Sequence, residues 1–239
     1  MKIIRLETVD STNRYLRELA LDGAEHGTVV LADRQTAGRG RLDHRFESPE
    51  GGLYVSLLLR PDGSLDPTLL TALAAVKTAD AIEACLYPAP SIGIKWVNDL
   101  YLGGKKLAGI LCESLLSPEG GASFVIVGIG INLRRVDFAP ELSELATTLE
   151  DACGAVPDRD ALAEEIARAI LASYSDPAAC LDEYRRRQIL FGRRVRVYDG
   201  TRPYTARALA IDDEGGLVVS RFGRKRVLRY GEVRVRLKR

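Results

Sequence analysis

The sequence predicts an α+β protein, in which a large domain of interleaved strands and helices precedes a small β-barrel. Apolar strand patterns at 53–59 and 124–133 lie on either side of the clearest helical pattern, where apolar residues recur at helical spacing over 67–84. Beyond about residue 190 the apolar residues instead alternate with polar ones, which is typical of short strands. We therefore expect a larger domain over 1–190 and a barrel over 191–239.

The composition is that of an ordinary globular protein, with 46% hydrophobic and 28% charged residues. No apolar run approaches the roughly 18 residues that a membrane helix needs. The charged segment 1–7 is too short for a signal peptide. The four cysteines are scattered without a C-x-x-C pair, which favours reduced thiols over a disulfide framework or a zinc site. We therefore expect a cytoplasmic protein with no metal ligands of its own and no membrane partner.

The net charge of +1 conceals an uneven distribution. From residue 191 onward the sequence holds 14 Lys and Arg against 5 Asp and Glu, a balance of +9. The preceding residues therefore hold 20 against 28, a balance of −8. A basic C-terminal domain is suited to nucleic acid, to an acidic protein or to the phosphates of a nucleotide. The alternative is a strand surface that is only decorated with arginine.

The first elements are a short strand at 2–7 and a helix that begins at Asp10-Ser11-Thr12-Asn13 and ends before Gly23. Asp, Ser, Thr and Asn are the preferred residue types at helix N-caps. Ser11 and Thr12 have two readings, because a cap can serve the helix alone or aim hydroxyls and free N–H groups at a polar ligand.

A glycine-spaced arginine loop, Gln35-Thr36-Ala37-Gly38-Arg39-Gly40-Arg41, follows an apolar strand at Thr28–Ala32. Its glycines allow the backbone to approach a ligand closely, because they lack a Cβ atom. Arg39 and Arg41 each offer a planar fork of donors that matches phosphate or carboxylate oxygens. The alternative is a solvated loop, since so short a motif is weak evidence alone.

A β-hairpin is predicted around Gly103-Gly104, which separates two apolar runs within 94–110. In that register Leu102 pairs with Lys105 and Tyr101 with Lys106. Alternation then places four residues on one face: Asp99, Tyr101, Lys106 and Ala108. Asp99 and Lys106 become diagonal neighbours, which either leaves room for a polar group of a ligand or gives an ordinary cross-strand ion pair.

The strand at 124–133 carries glycines at alternate positions, Gly128 and Gly130, which share one face with Asn132. Glycine inside a strand marks the close approach of a ligand or of another backbone. The sequence therefore predicts either a floor for a ligand or tight packing under a helix. Helical patterns follow at 143–151 and 158–190.

Five motifs taken together resemble the biotin protein ligase family across the whole chain. They are Asp10-Ser11-Thr12-Asn13, Gln35–Arg41, Lys95-Trp96-Val97-Asn98-Asp99, Lys106-Leu107-Ala108-Gly109-Ile110-Leu111 and Gly128-Ile129-Gly130-Ile131-Asn132. The resemblance implies a catalytic domain of the class II synthetase and biotin ligase type, a mixed sheet flanked by helices, followed by an SH3-like barrel. Larger family members carry a winged-helix domain before the first strand, so the resemblance implies the monofunctional enzyme, with no DNA expected as a partner.

The resemblance also implies which residues form the site. Those expected to bind biotin are Ser11, Thr12, Asn13, Gln35, Gly38, Arg39, Gly40, Arg41, Lys106, Gly128 and Gly130. Those expected to bind the nucleotide are Arg39, Arg41, Trp96, Asn98, Lys106, Asn132 and Arg236. The catalytic residues would be Arg39, Arg41, Lys106 and Asp99, with Asp99 either orienting Lys106 or helping the incoming lysine to lose its proton.

Two departures from the family pattern concern the site. The arginine loop continues as Leu42-Asp43-His44-Arg45-Phe46, where the family commonly has R-G-R and a tryptophan, and Val97 replaces the usual proline. They bear on the geometry of the loop. The residue types still suit the chemistry, because a carboxylate approaching a triphosphate needs fixed cations.

The activity implied is ATP-dependent biotinylation of a lysine on a biotin carboxyl carrier protein or domain, through biotinyl-5′-AMP. Biotin and ATP would be substrates, with Mg²⁺ on the nucleotide, and the barrel would clamp the nucleotide and help to dock the carrier. The oligomeric state is open, a homodimer included. The alternatives are a lipoate or octanoate ligase or transferase of the same fold class, and a nucleic-acid-binding module built on the basic barrel.

Overall fold

The structure, a computed structural model, describes residues 1–41, 45–61, 65–116, 122–198, 202–229 and 234–237, with only the backbone described at 116, 122 and 234–237. Within these ranges, no helix is both long enough and apolar enough to cross a membrane.

A seven-stranded mixed sheet forms the larger part of the molecule. Its strands are β1 (Lys2–Val9), β2 (Thr28–Gln35), β3 (Leu53–Leu59), β4 (Gly93–Lys95), β5 (Asp99–Leu102), β6 (Lys105–Leu116) and β7 (Ala122–Ile131). Their order across the sheet is β1-β2-β3-β7-β6-β5-β4. β1 and β2 are parallel, and the other neighbours are antiparallel. The prediction of a mixed sheet is confirmed.

Six α-helices accompany these strands in the described residues. They are α1 (Thr12–Leu21), α2 (Pro67–Ala84), α3 (Pro140–Ser143), α4 (Leu149–Cys153), α5 (Arg159–Leu171) and α6 (Leu181–Arg186), with a 3-10 turn at Pro177–Cys180 before α6. Residues of α2 and α5 belong to the main buried core, together with one face of the sheet. Leu16 and Ala20 of α1 instead pack with Val30, Leu58 and Phe124 in a second cluster. Since Val29 and Leu57 belong to the main core, α1 lies on the opposite face of the sheet.

Helix α2 begins and ends where its sequence pattern predicts. The Asp66 side chain caps it by accepting hydrogen bonds from the backbone N–H groups of Thr68 and Leu69. Pro67 occupies the first helical position, where its missing N–H costs nothing. Buried residues surround the whole helix, so α2 forms the centre of the main core.

The helical predictions after residue 140 are only partly right. The pattern at 143–151 corresponds to two short helices, α3 and α4, separated by a segment that pairs at Ala146 with Lys106. The pattern at 158–190 is interrupted after α5 and resumes at α6. Pro177 gives the reason, because a proline cannot continue the hydrogen bonding of a helix interior.

The five-stranded C-terminal sheet contains β8 (Arg194–Tyr198), β9 (Tyr204–Ile211), β10 (Leu217–Arg221), β11 (Arg224–Leu228) and β12 (Arg234–Leu237). All its pairs are antiparallel, and its order is β11-β10-β9-β8-β12. In the part of the chain that the structure describes, β11 and β12 do not pair to close a barrel. The prediction of short strands beyond residue 190 is confirmed, and their order is compatible with an SH3-like domain.

A nearly buried arginine holds the segment that leads into the site. Arg187, with a side chain only 8% exposed, donates to Asp80, Glu83 and Glu183 at 2.5–2.8 Å. Its backbone carbonyl accepts from the N–H of Ile94 at 2.7 Å. The network therefore joins α2, α6 and β4, and it fixes the strand that ends at Lys95, just before Trp96.

We expect Arg187→Met to lower the free energy of unfolding by about 3–5 kcal/mol, because it leaves carboxylates near the core without their cation. The control is the neighbouring Arg186→Met, whose side chain is 70% exposed and pairs with Glu183. It should cost less than about 1 kcal/mol. Urea denaturation of both variants measures the difference, and equal losses would contradict the structural role of Arg187.

Candidate active site

A cavity of about 380 Å³ lies on the face of the larger sheet that carries α1. It is lined by Ser11, Thr12, Asn13, Gln35, Arg39, Gly40, Arg41, Arg45, Phe46, Lys95, Trp96, Asn98, Asp99, Lys106, Gly109, Ile110, Leu111, Gly128, Ile129, Gly130 and Leu142. Its volume is within the range of small-molecule sites. These described lining residues comprise five Lys or Arg side chains and one carboxylate. The cavity is therefore suited to an anionic ligand.

One wall of the cavity is a network of neutral hydrogen-bonding groups at the start of α1. Gln35 Oε1 accepts from the Thr12 N–H at 2.8 Å and from the Thr12 hydroxyl at 3.1 Å. Gln35 Nε2 donates to Ser48 Oγ at 2.9 Å. Ser11 occupies the N-cap position, yet its side chain makes no capping hydrogen bond. Its hydroxyl therefore does not serve the helix, and it lines the cavity instead.

The Asn13 side chain joins α1 to β3 and β6, the two strands on either side of β7. Its amide donates to Glu113 Oε2 at 2.8 Å, and its Oδ1 accepts from Ser56 Oγ at 2.6 Å. It also lies against Gly128, where a Cβ atom would be 2.1 Å from Asn13 Oδ1. Gly128 is therefore packed under a helix, which was one of the two possibilities left open for this glycine. It also lines the cavity.

The arginine loop folds back on itself beside the cavity. The N–H of Phe46 donates to the Gly38 carbonyl at 2.9 Å, and Arg39 pairs with Arg45. A Cβ atom at Gly38 would lie 2.4 Å from the Phe46 carbonyl oxygen, so only glycine fits there. Arg39 forms an ion pair of 3.2 Å with Glu113. The side chain of Arg39 is thus held by a carboxylate at the edge of the cavity.

The floor of the cavity is formed by glycines on two paired strands. Gly109 of β6 pairs with Gly130 of β7, and Leu111 pairs with Gly128. The Phe46 ring covers part of this floor, since a Cβ atom at Gly130 would lie 2.6 Å from Phe46 Cε1. Side chains in place of these glycines would fill the cavity and displace the ring.

A lysine–aspartate–lysine cluster closes the other end of the cavity. Asp99 Oδ1 lies 2.6 Å from Lys106 Nζ, and Asp99 Oδ2 lies 3.4 Å from Lys95 Nζ. Burial on its own would raise the pKa of Asp99, but the two ammonium charges outweigh it and hold the pKa below its ordinary value. Asp99 is therefore ionised at neutral pH. Lys106 Nζ also lies 5.6 Å from the centroid of the Phe46 ring.

The hairpin that carries this cluster has the predicted turn but not the predicted alternation. Leu102 pairs with Lys105 and Tyr101 with Lys106, as expected. A β-bulge then shifts the register, so that Leu100 pairs with Ala108. Ala108 lies in the buried core and not on the face of Lys106, which corrects the prediction. Asp99 and Lys106 form a direct ion pair, the second of the two arrangements left open.

The C-terminal domain contacts the wall of the cavity through the turn between β9 and β10. The indole N–H of Trp96 donates to the carbonyl of Gly215, between β9 and β10, at 2.9 Å. The Trp96–Val97 peptide bond is cis. Asn98 donates to the carbonyl of Ile110 at 2.7 Å, which joins its segment to β6. The segment from Trp96 to Asp99 is therefore held from both sides.

The comparisons with known proteins agree on one family. The model of the biotin/lipoate A/B protein ligase family matches residues 6–132, and that of the biotin protein ligase C terminal domain matches 190–236. A bifunctional ligase/repressor BirA from Bacillus spizizenii is 40% identical over 228 residues, which cover 91% of this chain and 69% of the relative. The chain belongs to the biotin protein ligase family.

Further relatives support the assignment over almost the whole chain. A biotin–[acetyl-CoA-carboxylase] ligase from Mycobacterium tuberculosis is 34% identical over 239 residues, which cover 93% of this chain and 85% of the relative. The structure of a biotin protein ligase from Aquifex aeolicus in complex with biotin and ATP matches with a TM-score of 0.86. Its sequence identity is 29%, and 99% of both chains is covered.

Most residues that the biotin protein ligase resemblance singled out lie together in the cavity. Gly38 packs against Phe46 and Ser48 within the loop and does not line the cavity. Asn132 does not line the cavity either, and its side chain donates to the carbonyl of Thr147 at 3.1 Å. The side chain of Arg236 lies outside the described residues, as do the loop departures Leu42–His44. The roles assigned to all these residues stay predictions.

Several residues at the site were not singled out from the sequence, and four of them have described roles there. Lys95 and Phe46 line the cavity, Glu113 holds Arg39 and Asn13, and Ser56 joins Asn13 to Thr12. Glu113 had a usable signal, because it is a charged residue at the end of an apolar strand and alternates with Gly109 and Leu111. Phe46 had none, since its position depends on how the arginine loop folds back.

We expect Asp99→Asn to lower the free energy of unfolding by about 1–3 kcal/mol at pH 7, since it removes the carboxylate that two lysines bind. A carboxyl whose folded pKa is depressed stabilises the fold above its ordinary pKa of about 4, and this contribution is lost as the pH falls through the folded pKa. The difference from wild type should be constant from pH 8 to pH 5.5 and shrink below about pH 4.

Urea denaturation at several pH values measures this difference. The matched control is Asp137→Asn, which changes an exposed carboxylate and should stay within about 0.5 kcal/mol of wild type throughout. A difference for Asp99→Asn that changes between pH 8 and pH 5.5 would contradict the depressed pKa.

Proposed function

We propose that the cavity catalyses ATP-dependent biotinylation of a lysine on a biotin carboxyl carrier protein. Biotin and ATP would first give biotinyl-5′-AMP and pyrophosphate, and the lysine would then take the biotinyl group and release AMP. The observation that carries this proposal is the convergence of Arg39, Arg41 and Lys106 on one glycine-floored cavity. The opposite wall of that cavity is a neutral hydrogen-bonding network.

The two ends of the cavity suit the two substrates. Ser11, Thr12 and Gln35 offer neutral donors and acceptors without a net charge, which fits a cyclic urea such as the biotin ring. Lys95 and Lys106 at the other end, together with Arg39 and Arg41 of the arginine loop, fit the carboxylate of biotin and the phosphates of the nucleotide. The biotin carboxylate would therefore lie where its oxygen can attack the α-phosphorus and expel pyrophosphate.

The cations carry the first step. Two anions must come together, and the negative charge that develops in the transition state has to be stabilised by groups already in position. Lys106 is in position because Asp99 holds it at 2.6 Å, and Arg39 is held at 3.2 Å by Glu113. We infer that both side chains exchange part of these contacts for the substrates' oxygens when the substrates bind.

Asp99 serves this site best as a positioning residue. Its two lysine partners depress its pKa, which makes it a weak base for the proton of an incoming lysine. The adenylate itself activates the acyl group, so the lysine amine attacks the carbonyl carbon and AMP leaves with the bonding electrons. The released proton would pass to the AMP phosphate or to solvent.

Magnesium is expected to arrive with the nucleotide. Mg²⁺ in such sites is bound largely by substrate phosphates, with one or two carboxylates and several waters. Among the described residues there is no group of three or more His, Cys, Asp or Glu that could hold a metal. We therefore assign no protein ligand to the ion.

We also propose a cytoplasmic location for the enzyme and its carrier.

Comparison of biotin with lipoate separates the two acyl substrates that the fold class takes. We expect biotin to support ATP–pyrophosphate exchange by the purified chain, and lipoate to support it at least about 100-fold less well. Such a ratio arises when polar groups built for one ligand are left without partners by another. Exchange that is equal, or faster with lipoate, would contradict the assignment of biotin.

We expect Lys106→Met to reduce the rate of pyrophosphate exchange by about 10²–10³-fold, because it removes a preorganised charge at the reacting phosphate. The control is Lys105→Met, which removes the neighbouring exposed ammonium that binds the Ser143 carbonyl. It should leave the rate within about twofold. If both variants lose activity equally, the role proposed for Lys106 is wrong.

A further inference from the structure

The tip of the β10–β11 hairpin presents a cationic and aromatic surface, which we call the hairpin tip. It consists of Tyr204, Arg221, Phe222, Arg224, Lys225 and Arg226. All except Tyr204 are exposed, and the described residues that line this shallow depression include no Asp or Glu. This end of the C-terminal sheet therefore carries a concentrated positive charge.

Phe222 is in an unfavourable position for the fold itself. It occupies the first position of the two-residue turn that joins β10 to β11, with φ +51°, and Gly223 follows with φ +77°. Turns of this type take Asn, Asp or Gly there, because a bulky side chain is strained at positive φ. The Phe222 ring is also 90% exposed. A strained and exposed aromatic residue indicates a function that the hairpin alone does not explain.

Two of the cations around Phe222, Arg221 and Arg226, contact aromatic side chains. The guanidinium carbon of Arg221 lies 4.9 Å from the Tyr204 ring centroid and 5.0 Å from that of Phe222. Arg226 donates to the Tyr204 hydroxyl at 3.3 Å. An ordered arginine loses less conformational entropy when it binds a partner. The tip thus combines an apolar anchor with preorganised donors, the composition of an interface hot spot.

The acidic residues of this domain that the structure describes lie at the opposite end of the sheet. Asp212, Asp213 and Glu214 are consecutive in the β9–β10 turn, and they pair with Arg185 and Arg229. The same turn contacts Trp96 through Gly215. The carboxylates of this turn therefore lie next to the catalytic domain, and the cations of the hairpin tip lie at the far end of β10.

We propose that the hairpin tip docks an acidic face of the carrier protein while the carrier's lysine lies in the cavity. This inference rests on the proposed function, which requires a protein partner. Phe222 would insert into an apolar depression of the carrier, and the surrounding cations would meet its carboxylates. Charge complementarity of this kind sets the rate of association and its dependence on salt.

The distance between the hairpin tip and the cavity fits one partner. Phe222 lies seven residues along β10 from Gly215, which contacts Trp96 in the cavity wall. At about 3.3 Å per residue, the tip is at most about 23 Å from this wall. A small domain of about 80 residues has a radius of gyration of about 12 Å and spans about 30 Å. Such a domain can contact both places at once.

The test uses full-length variants and an apo biotin carboxyl carrier domain that the wild-type enzyme biotinylates. Phe222→Asn removes the anchor and suits the turn, so it should fold at least as well as wild type. Arg224→Glu/Lys225→Glu reverses two exposed charges at the tip. Lys2→Glu/Arg193→Glu is the control, because it changes the net charge equally at exposed positions outside the tip.

We expect both tip variants to raise the KM for the carrier at least about fivefold, with pyrophosphate exchange in the absence of carrier and kcat at saturating carrier unchanged. The charge variant should also lose most of the salt dependence of wild-type KM, and the control should resemble wild type. Wild-type enzyme that forms no biotinyl-5′-AMP would refute the proposed function before the tip is tested.

The proposal is overturned if the carrier KM of both tip variants equals that of the control. A second measurement uses a fluorescent single-stranded oligonucleotide. If wild type binds it, the tip variants do not, and the carrier KM is unchanged, then the tip is a nucleic-acid site and not a carrier-docking surface.

Discussion

The pairing of β6 with β7 at the centre of the larger sheet is the constraint on which the site depends. It aligns Gly109 with Gly130 and Leu111 with Gly128, so that two adjacent strands present a surface with almost no side chains. The same pairing places Lys106 and Glu113 at the two ends of that surface. A ligand can lie flat on the backbone, with a cation at one end and a carboxylate that holds a second cation at the other.

Three cations of the site have carboxylates that hold them near the cavity without filling the cavity. Asp99 binds Lys106 and Lys95, and Glu113 binds Arg39. Such pairs limit the repulsion among like charges in a small volume and reduce the side-chain entropy that binding would otherwise cost. The carboxylates also compete with the substrate, because its phosphates must bind the cations more strongly than the carboxylates do. A triphosphate can do so because it has several charged oxygens.

The C-terminal sheet contributes to the site through the contact between its β9–β10 turn and Trp96. Gly215 accepts from the Trp96 indole, and the flanking acidic turn binds Arg185 and Arg229. These bonds fix the end of the domain that faces the cavity. The cationic end remains exposed, which is how a protein with a net charge of only +1 can present a strongly basic surface.

The sequence by itself determined the elements with strong periodicity and the residues whose chemistry is local. The strand at 53–59, the helix at 67–84, the turn at Gly103-Gly104 and the arginine loop could all be read from apolar spacing and from glycine positions. The tertiary structure decided the rest. The bulge beside Leu100 moved Ala108 into the core, Pro177 divided a helical pattern, and the fold of the loop placed Phe46 over Gly130. Register shifts, loop closure and the choice of ion-pair partner depend on residues distant in sequence, and local patterns do not record those contacts.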